Sequence, residues 1–593
     1  MDSSVYDYII TEENSYKTSP VPLTNSKEWQ MSEHIERCYN VANGWFHTGK
    51  NDDKRPYDDI VTPIIDVAFR SEGFDVKDMV PFVDDKDEEH KSFILKKYHP
   101  TFATKVHLDE FIDEVVETSI IYDLVLFKKT EEVLPEIVQL QKIAFCDQTD
   151  VLSGSICIKH QYTIGDLLDM RGVWDDSKID EAIVLSQQNK SVSMSQDKKA
   201  KTSGKYIEVY ELHGLLPEFW LDVEGSKDKY KNQLHIVCFY LDQRGDRQGL
   251  TLFKGTNKPI KQRFKTLKID KTRSFGRACG RSIVERLFQP QLWNNYSGIR
   301  IKQMLDTASM ILAQTSSQDI NSVKRDEIAG FTVLKSDQPI NRIDTNTSGN
   351  MSEFQSHKSS TERSARLLGS ASEAQLGINP SSGTPFALQD LIVQQGEGIH
   401  EYRRGKIASF FADELYPDWV VPQLVKEINS EVEFSEDLSL SERQEIAEKI
   451  ATNKVESMKR TGDLIFEEDA QKEKEKIKNS IMNKGSKFFL KSIKDELKDL
   501  PVKVKINIAG KQKYLAQNAD KLSKLISNIL ANYQAFATIP GLGSAYNQLI
   551  ESSGLNPIDF SQITKALPME TKTSQLKSPV TSEEIEKETT IIN

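Results

Sequence analysis

The middle of the chain carries apolar residues at the spacing of an amphipathic helix. From about Gly280 onwards, one apolar stripe repeats at intervals of three or four positions, and it consists of Ile301, Leu305, Ala308 and Leu312. Residues at this spacing lie on one face of a helix and bury it against another surface. We therefore predict a long helix over residues 280–318 that packs along this stripe.

Two further predicted helices follow with short connections. The predicted order is a strand-forming insert over 319–350, a helix over 351–368, a loop rich in Gly, Ser and Pro over 369–385, and a helix over 386–415. The last helix contains Gly396 and Gly398, each of which costs about 1 kcal/mol relative to Ala, and together they predict a kink. Long rods joined by a small insert are atypical of an enzyme core. They would pack well in many copies placed side by side around a hole.

The segments on either side of the three helices predict an α+β fold. Residues 28–279 begin with amphipathic helices, and from Glu132 they carry runs typical of an antiparallel β-rich unit. Prolines on both sides of the segment WVV predict that the third long helix ends near Leu415. Residues 416–510 then combine charged helices with one alternating strand.

The two ends of the chain are polar. Residues 1–27 predict either a disordered terminus or an arm that packs on a neighbouring subunit. Residues 511–565 predict a small helical unit, and the many Thr, Ser, Glu and Lys residues of 566–593 predict a disordered tail. The N-terminus is too acidic and polar for a signal peptide, and no run of about 18 apolar residues predicts a membrane span.

Composition and net charge exclude few classes of function. The chain has 593 residues, and its 77 Lys and Arg against 89 Asp and Glu give a net charge of −12. A protein that grips DNA tightly is usually basic, whereas a conduit must let the phosphates slide past. The acidic balance therefore favours a conduit over a clamp, although many ordinary cytosolic proteins share it. The 5 cysteines include no CxxC pair, which indicates reduced thiols and assembly in the cytoplasm.

The sequence lacks the short motifs that carry common chemistries. It contains no GxxxxGK[ST] phosphate-binding loop, no HExxH or Cys/His cluster at metal-binding spacing, and no GxSxG nucleophile turn. Its 10 histidines are scattered along the chain. We therefore expect a protein that is not an enzyme and that binds neither a cofactor nor a metal.

A basic run lies at the end of the β-rich unit. Between Lys254 and Arg286 the sequence has 11 Lys and Arg, and only Asp270 and Glu285 oppose them. The run predicts a solvated face or salt bridges between subunits, or alternatively a contact with nucleic acid.

Three segments resemble the portal proteins of tailed bacteriophages, which form a ring at one capsid vertex through which DNA enters and leaves. They are ACGRSIVERLFQPQLWNNYSGIRIKQ at the start of the first long helix, EAQLGINPSSGTPFALQDL where the loop meets the third helix, and VKVKINIAGKQKYLAQNADKLSKLISNI near the C-terminus. The last segment is most similar to portals of short-tailed, crAss-like phages of Bacteroidetes hosts. The order of the predicted elements resembles that family over most of the chain.

The resemblance implies a portal fold whose parts follow the predicted elements. They are an N-terminal arm over 1–27, a wing over 28–279 and 416–510, stem helices over 280–318 and 351–368, a clip over 319–350, a tunnel loop over 369–385, a long kinked helix over 386–415, a helical crown over 511–565, and a tail over 566–593. In that arrangement the apolar stripe of the first stem helix packs subunits together in a closed ring of about twelve copies.

The resemblance also implies site residues and partners. The tunnel loop would line the narrowest part of the channel and touch double-stranded viral DNA, through Glu373, Gln375, Asn379, Ser381 and Ser382. The clip would contact the terminase large subunit during packaging and the tail adaptor protein afterwards, through Lys324, Arg325, Lys335 and Arg342. The ring would lie in the virion at a vertex of the shell of major capsid protein. ATP hydrolysis would come from the separate terminase.

Two alternatives come from other classes of protein. One is a virion or head-assembly structural protein without a channel, which the mass of the assembly and the presence of a central hole would distinguish from a portal. The other is a DNA-processing enzyme with a degenerate site, which DNA-dependent ATPase or nuclease activity of the isolated chain would reveal.

Overall fold

The computed structural model describes the larger part of the chain. The described residues are 4–44, 57–76, 79–83, 95, 99–193, 206–221, 225–226, 228–241, 247–271, 274–309, 313–314, 324–328, 331–335, 341–342, 348–371, 373, 375–376, 386–430, 440–461, 467–483 and 502–506. Contacts divide the chain into two units, Met1–Lys511 and Gln512–Asn593, and all described residues belong to the first. The predicted crown and tail therefore lie outside the described residues.

Helices and strands alternate through the described part of the chain. The helices are α1 (Val5–Thr18), α2 (Met31–Ala42), α3 (Thr62–Glu72), α4 (Leu108–Tyr122), α5 (Ile164–Asp169), α6 (Asp176–Ser193), α7 (Ile260–Arg263), α8 (Ile283–Ser309), α9 (Ser348–Leu368), α10 (Phe386–Phe410), α11 (Val421–Ser430), α12 (Leu440–Thr461) and α13 (Glu467–Asn483). The strands are β1 (Val21–Thr24), β2 (Lys27–Trp29), β3 (Met79–Val83), β4 (Val125–Lys128), β5 (Glu136–Val138), β6 (Ile143–Phe145), β7 (Ile156–Tyr162), β8 (Ile207–Pro217), β9 (Tyr230–Leu241), β10 (Arg247–Thr256), β11 (Phe264–Leu267), β12 (Ala313–Gln314), β13 (Lys324–Ile328), β14 (Phe331–Lys335), β15 (Asn341–Arg342) and β16 (Val502–Ile506). The fold mixes helix and sheet, consistent with the predicted α+β class.

Residues 4–29 belong to the body of the protein. Helix α1 begins with a capping box, in which the Asp7 amide donates a hydrogen bond to Ser4 Oγ at 3.3 Å. Ile9 and Tyr16 of this helix are buried in the main core, and β1 and β2 form a short antiparallel ribbon after it. The segment differs from the predicted disordered terminus or arm on a neighbour, because its apolar residues pack within their own chain.

The β-rich unit is one five-stranded antiparallel sheet with the order β10–β9–β8–β7–β6. Successive side chains of a strand point to opposite faces of the sheet. In β8, Tyr210 and Leu212 face the main core, while Ile207 and Val209 face a smaller core to which α5 and α6 contribute. The predicted antiparallel unit is confirmed, and apolar cores lie on both of its faces.

Helices and short strands complete the main core. Helices α2, α3 and α4 share this core with the three-stranded sheet β11–β4–β5. Helix α4 passes into β4 through Asp123, which has the left-handed φ of 51°. Strand β16 pairs antiparallel with β3. The segments before and after the long helices therefore meet in one sheet, although more than four hundred residues separate β3 from β16 in the sequence.

The first two long helices form a helical hairpin. Helix α8 packs against α9, and the segment between them contains the ribbons β12–β15 and β13–β14. Pro290 lies inside α8, which continues past it. At the end near the body, the side-chain amides of Gln291 and Asn294 donate to the Asp58 carbonyl at 2.8 and 3.0 Å. These bonds fix the start of the hairpin to the body.

The third long helix continues beyond its predicted end. Helix α10 passes directly into a π-helical segment, Phe411–Val420, and then into α11. The predicted end near Leu415 is wrong. Leu415 and Trp419 bury the π-helical segment in the core, and a π-helical turn is one of the few helical settings that accommodate a residue such as Pro417.

Helix α10 contains the two glycines at which a kink is predicted. The α-helical conformation of α10 includes both Gly396 and Gly398, and the change to π-helix begins only at Phe411. The two glycines are therefore tolerated inside a continuous helix. Among the described residues, every helix is too short or too polar to cross a lipid bilayer.

Candidate functional site

Among the residues whose side chains are described, the far half of the helical hairpin has none that is buried. On α8 the last buried residue is Ser297, and every described side chain over 298–306 is at least partly exposed. On α9 the same is true over 351–364, and Ala365 is its first buried residue. Two helices that pack only on each other, without a core, are marginal in water. The hairpin therefore needs a further surface, which the described part of this chain does not supply.

The predicted packing stripe lies on this far half. Ile301 is partly buried, and Leu305 is 50% exposed. Ala308 is within α8, but its side chain lies outside the described residues, as does the whole of Leu312. The described part of the stripe thus does not pack on the body, and Leu305 presents apolar surface to solvent in the isolated chain.

An aromatic groove lies between the two helices of the hairpin, nearer the body. Its volume is about 670 Å³, and it is lined by Trp293, Tyr296, Ser297, Arg300, Glu353, Phe354 and His357. The rings of Trp293 and His357 are 5.9 Å apart, and Ser297 Oγ lies 3.1 Å from His357 Nδ1. Trp293 is 54% exposed and Tyr296 is 48% exposed. Aromatic side chains with this exposure are typical of contact surfaces.

Exposed apolar side chains are concentrated on the long helices. Half of the large apolar residues that are exposed among the described residues belong to α8, α9 or α10, and these are Trp293, Tyr296, Leu305, Leu367, Leu368, Ile399 and Tyr402. Single exposed apolar residues are ordinary, but their accumulation on the packed helices α8 and α9 is typical of an interaction surface.

The insert between α8 and α9 consists of two short ribbons. In the first, Lys324 of β13 is directly opposite Lys335 of β14, and Arg325 is the next residue along β13. In the second, Arg342 of β15 is opposite Ala313 of β12. A two-stranded ribbon alone is marginal. The register therefore brings three of the predicted clip cations to one end of a ribbon whose outer edges are open among the described strands.

The loop after α9 is described only at its start. Glu373 Oε1 accepts a hydrogen bond from Arg366 Nη1 of α9 at 3.2 Å, and Gln375 is partly buried. The other candidates of this loop, Asn379, Ser381 and Ser382, lie outside the described residues. Glu373 is largely exposed, so its ion pair contributes at most about 1 kcal/mol and leaves the carboxylate accessible.

The end of α9 is fixed closely to α3. A Cβ on Gly369 would lie 2.2 Å from Ile64 Cγ2, so only glycine allows this approach. Ser370 follows in the left-handed conformation, with a φ of 56°. The loop therefore leaves the body from a defined point next to α3.

A buried charge network, which the sequence analysis did not identify, fixes α10 to the body. Arg403 Nε donates to the two carboxylate oxygens of Glu72 at 2.8 and 3.0 Å, and Arg403 Nη1 donates to Asp123 Oδ1 at 3.1 Å. His400 Nδ1 lies 3.0 Å from Glu72 Oε1. Burial raises the pKa of Asp123, and the positive charge of Arg403 opposes this only in part. The only sequence signal was a His and an Arg three positions apart on one helix.

Several cations of the basic run serve the interior of the chain. Arg277 donates to both carboxylate oxygens of Glu285 at 2.9 and 2.8 Å. Lys268 Nζ donates to the carbonyls of Ser274 and Arg277 at 3.1 and 2.6 Å, and Lys265 pairs with Asp418 at 2.5 Å. These side chains are not available to phosphates. Among the described residues of the run, the exposed ones are Lys254, Lys258, Lys261, Lys271 and Arg281.

A second buried polar cluster surrounds Glu211 on β8. Lys128 Nζ and His160 Nε2 lie 2.6 and 2.9 Å from Glu211 Oε2, and His213 Nε2 lies 2.8 Å from Oε1. Asn257 Nδ2 lies 2.8 Å from His213 Nδ1. Burial alone would raise the pKa of Glu211, but the hydrogen bonds of His160 and His213 and the charge of Lys128 lower it well below its ordinary value. The cluster joins two sheets, and Glu211 is satisfied by partners of the same chain.

The described residues give no indication of metal or thiol chemistry. They contain no group of three or more His, Cys, Asp or Glu side chains placed to hold a metal ion. The cysteines Cys38, Cys146, Cys157, Cys238 and Cys279 are free and buried. Burial raises the pKa of Cys38 and Cys238 to about 12, so these two thiols are almost entirely protonated and unreactive at neutral pH.

Comparison with known proteins adds no relative. No family model matches this chain, and no curated protein sequence matches it. The functional assignment therefore depends on the residues and the geometry described above.

Proposed function

We propose that this chain is the subunit of a phage portal, a closed ring that forms the channel for viral DNA at one capsid vertex. The observation that carries the proposal is the helical hairpin, whose far half has no buried residue on either helix among the side chains that the structure describes. Such a hairpin becomes stable when copies stand side by side and each covers its neighbours. A head-to-tail arrangement of identical copies closes into a ring when the rotation between them divides a full turn.

The position of exposed apolar surface supports this arrangement. Leu305 and the aromatic pair Trp293 and Tyr296 lie on the same helix, on the two halves of the hairpin. Full burial of a large apolar side chain is worth about 1.5–3 kcal/mol, so covering side chains that are half exposed recovers roughly half of that for each. Summed around a ring, these contacts would stabilise the stem without any additional core in the subunit.

The ribbons between α8 and α9 support a contact region at the tip of the stem. A marginal two-stranded ribbon gains stability when strands of a neighbour or a partner extend it. The register places Lys324, Arg325 and Lys335 together at one end. We propose that this end contacts the terminase large subunit and later the tail adaptor protein, while the loop after α9, beginning at Glu373, faces the DNA. The ring would be held in the virion by the major capsid protein.

The first experiment measures the mass and the shape of the purified chain by native mass spectrometry and negative-stain electron microscopy. We expect closed rings with a central hole. Closed assemblies or sheets of many copies that have no central hole would favour a head-assembly protein without a channel. DNA-dependent ATPase or nuclease activity of the isolated chain would favour an enzyme. A chain that stays monomeric at all concentrations would contradict the proposal.

The second experiment tests the stem. Leu305→Asp places a charge in the surface that we propose to be covered by a neighbour, and burying an unpaired carboxylate costs several kcal/mol. The variant should remain folded and monomeric at concentrations where the unchanged chain forms rings. Val173→Asp is the matched control, because Val173 is 67% exposed and lies in the β-rich unit. Rings of Leu305→Asp with unchanged stability would show that this face of α8 is not an interface.

A further inference from the structure

Phe275 is the most exposed large apolar side chain among the described residues, at 91%. It lies in the loop between β11 and α8, next to Gly276, which has a φ of 81°. This backbone conformation is strained for any residue other than glycine. The turn therefore directs the aromatic ring away from the body at a specific position.

The loop that carries Phe275 is held rigidly on both sides. Lys268 Nζ donates to the carbonyls of Ser274 and Arg277 at 3.1 and 2.6 Å. The Ala278 amide donates to the Gln148 carbonyl at 2.7 Å. A side chain that is exposed on a fixed loop loses little conformational entropy when a partner covers it, which is the property of an interface anchor.

A groove of about 1100 Å³ lies elsewhere on the body, between α2, α3, α4 and the segment that follows β5. Its apolar lining includes Ile65, Ile121 and Ile137. The lining includes three exposed acidic residues, Asp66, Glu114 and Glu117. It also includes Lys142 and Lys159, of which Lys159 is paired with Glu208 at 2.9 Å.

Nothing on α4 itself compensates these acidic side chains. The helix has the sequence LDEFIDEVVETSIIY, which contains no Lys or Arg. Glu114 and Glu117 are three positions apart, so their carboxylates lie on the same face and repel each other. Burial and the negative charge of Glu117 raise the pKa of Glu114. A cationic partner in the groove would relieve this repulsion.

The loop of Phe275 and the groove have complementary chemistry. In the sequence, the exposed residues Lys271 and Arg281 flank Phe275, so the same segment carries an exposed aromatic ring and two exposed cations. The groove presents apolar walls beside three carboxylates. Opposite potentials of this kind select a partner and fix its orientation.

A single chain cannot make this contact with itself. The loop lies at the start of α2, because Gln148 accepts from the amides of both Met31 and Ala278. The groove lies at the other end of α2, where Tyr39 and Asn43 line it. A helix of 12 residues is about 18 Å long, so the two surfaces are separated by roughly that distance.

We propose that the loop of Phe275 inserts into the acidic groove of a neighbouring copy. The contact joins two different surfaces of the same chain, so it is head-to-tail and can be repeated around a ring. The inference rests on the self-assembly that the proposed function requires, and it assigns the body, in addition to the stem, a specific role in that assembly.

A photo-crosslinking experiment tests the pairing directly. Phe275 is replaced by p-benzoylphenylalanine, and the variant is assembled with unchanged chain labelled with nitrogen-15 and then irradiated. We expect crosslinks between labelled and unlabelled chains that map to the segments lining the groove, which are the end of α2, α3, α4 and residues 137–142. Crosslinks to other segments, or assembled particles without crosslinks between copies, would overturn the inference alone. A chain that never assembles would overturn the proposed function as well.

A double-mutant cycle gives an independent measurement. Phe275→Ala should raise the protein concentration at half-assembly about tenfold, the typical effect of removing an anchor residue. Tyr230→Ala is its control, because Tyr230 is an exposed aromatic residue of the β-rich unit. Glu117→Lys should also weaken assembly, whereas Glu110→Lys should not, because Glu110 is exposed on the same helix but does not line the groove.

The cycle is completed by combining Phe275→Ala with Glu117→Lys. If the two residues meet across one interface, the combined effect is smaller than the product of the separate effects. Effects that multiply as for independent sites would show that Phe275 and the groove do not meet.

Discussion

Arg403→Met is the substitution that tests most directly how α10 is fixed to the body. The side chain of Arg403 is 3% exposed, and those of its partners Glu72 and Asp123 are 0% exposed. Methionine retains much of the aliphatic volume but removes the charge and every donor. The variant keeps the fold's packing while it leaves two carboxylates in the interior without their cation.

The magnitude follows from the hydrogen bonds that are lost. Arg403 donates twice to Glu72, once to Asp123, and once to the Ser119 carbonyl at 3.1 Å. Removing one partner of a buried ion pair costs about 3–5 kcal/mol, because the other charge remains buried and unpaired. Since about 1.4 kcal/mol corresponds to a tenfold change, the unfolding equilibrium constant should rise by roughly two to four orders of magnitude.

The pH dependence of this loss has a definite sign. In the variant Glu72 keeps its contact with His400, whereas Asp123 keeps the Asp270 amide at 2.9 Å but loses the hydrogen bond from its cation. The pKa of Asp123, which burial already raises, should rise further. A carboxyl with a raised folded-state pKa binds its proton more tightly in the folded chain, so the folded variant regains stability as the pH falls towards that pKa. The difference in stability between variant and unchanged chain should therefore be smaller at about pH 5 than at about pH 8.

Urea unfolding at the two pH values, followed by tryptophan fluorescence, measures both effects. Arg171→Met is the matched control, because Arg171 pairs with Asp180 on the surface, where an ion pair contributes at most about 1 kcal/mol. The reasoning would be refuted by a loss for Arg403→Met that is no larger than for Arg171→Met. It would also be refuted by a loss that is the same at both pH values.

Two further predictions concern the same body. Gly280→Ala should destabilise the chain by about 1–3 kcal/mol or more in thermal unfolding, because the new Cβ would lie 1.6 Å from Asp123 Oδ2. Gly398→Ala should stabilise the chain by up to about 1 kcal/mol, because nothing lies within 4 Å of its new Cβ. Equal effects of the two substitutions would contradict the described packing. Stability should fall as the pH drops below about 6.5, because burial lowers the pKa of His34, His99 and His235 to about 4, so each must remain neutral in the folded chain while it protonates in the unfolded chain. Urea unfolding between pH 7 and pH 4 measures this, and a flat profile would show that the three imidazoles are not buried as described.

Periodicity was sufficient to predict the elements whose signal is local. The alternation of β8 and β9 predicted the antiparallel sheet, and the stripe through Ile301 and Leu305 predicted α8. Helical spacing shows which residues share a face, but it does not show whether that face meets the body, a neighbour or solvent. In the structure the face with Leu305 remains exposed, which a sequence pattern alone cannot reveal.

Long-range contacts explain where the sequence analysis failed. Proline predicts the end of a helix because it lacks an amide donor, yet the helix continues through Pro417. The buried neighbours Leu415 and Trp419 and the contact of Tyr416 with His99 hold this turn in the core. His99 is more than three hundred residues away in the sequence, so no local pattern reports it. The pairing of Glu72 with Arg403 was invisible for the same reason.

The features of the candidate site likewise fall into those that a local sequence pattern predicts and those that depend on long-range contacts. Small and polar residues predicted a loop after α9 whatever its surroundings, and strand formers predicted the ribbons. The internal role of Arg277 and Lys268 could not be predicted, because a basic run has the same sequence whether its charges face solvent or carbonyl groups. The exposed residue Phe275 within that run was overlooked, although an aromatic residue next to glycine in a charged loop was the available signal.

The body fixes the direction of α8 and α10, and this direction would determine how neighbouring copies meet in the proposed ring. A ring closes with one copy number only if the angle between neighbours is fixed, and a hairpin without its own core cannot fix an angle. The Asp58 carbonyl holds α8 through Gln291 and Asn294, and Arg403 holds α10 through Glu72 and Asp123. Both helices thereby take their direction from the body. If neighbouring bodies meet through the loop of Phe275, the body contact sets the angle and the hairpins then cover one another. In the proposed ring the weakly packed hairpin and the well-packed body therefore have complementary roles, because the hairpins can depend on their neighbours only where the bodies have already positioned them.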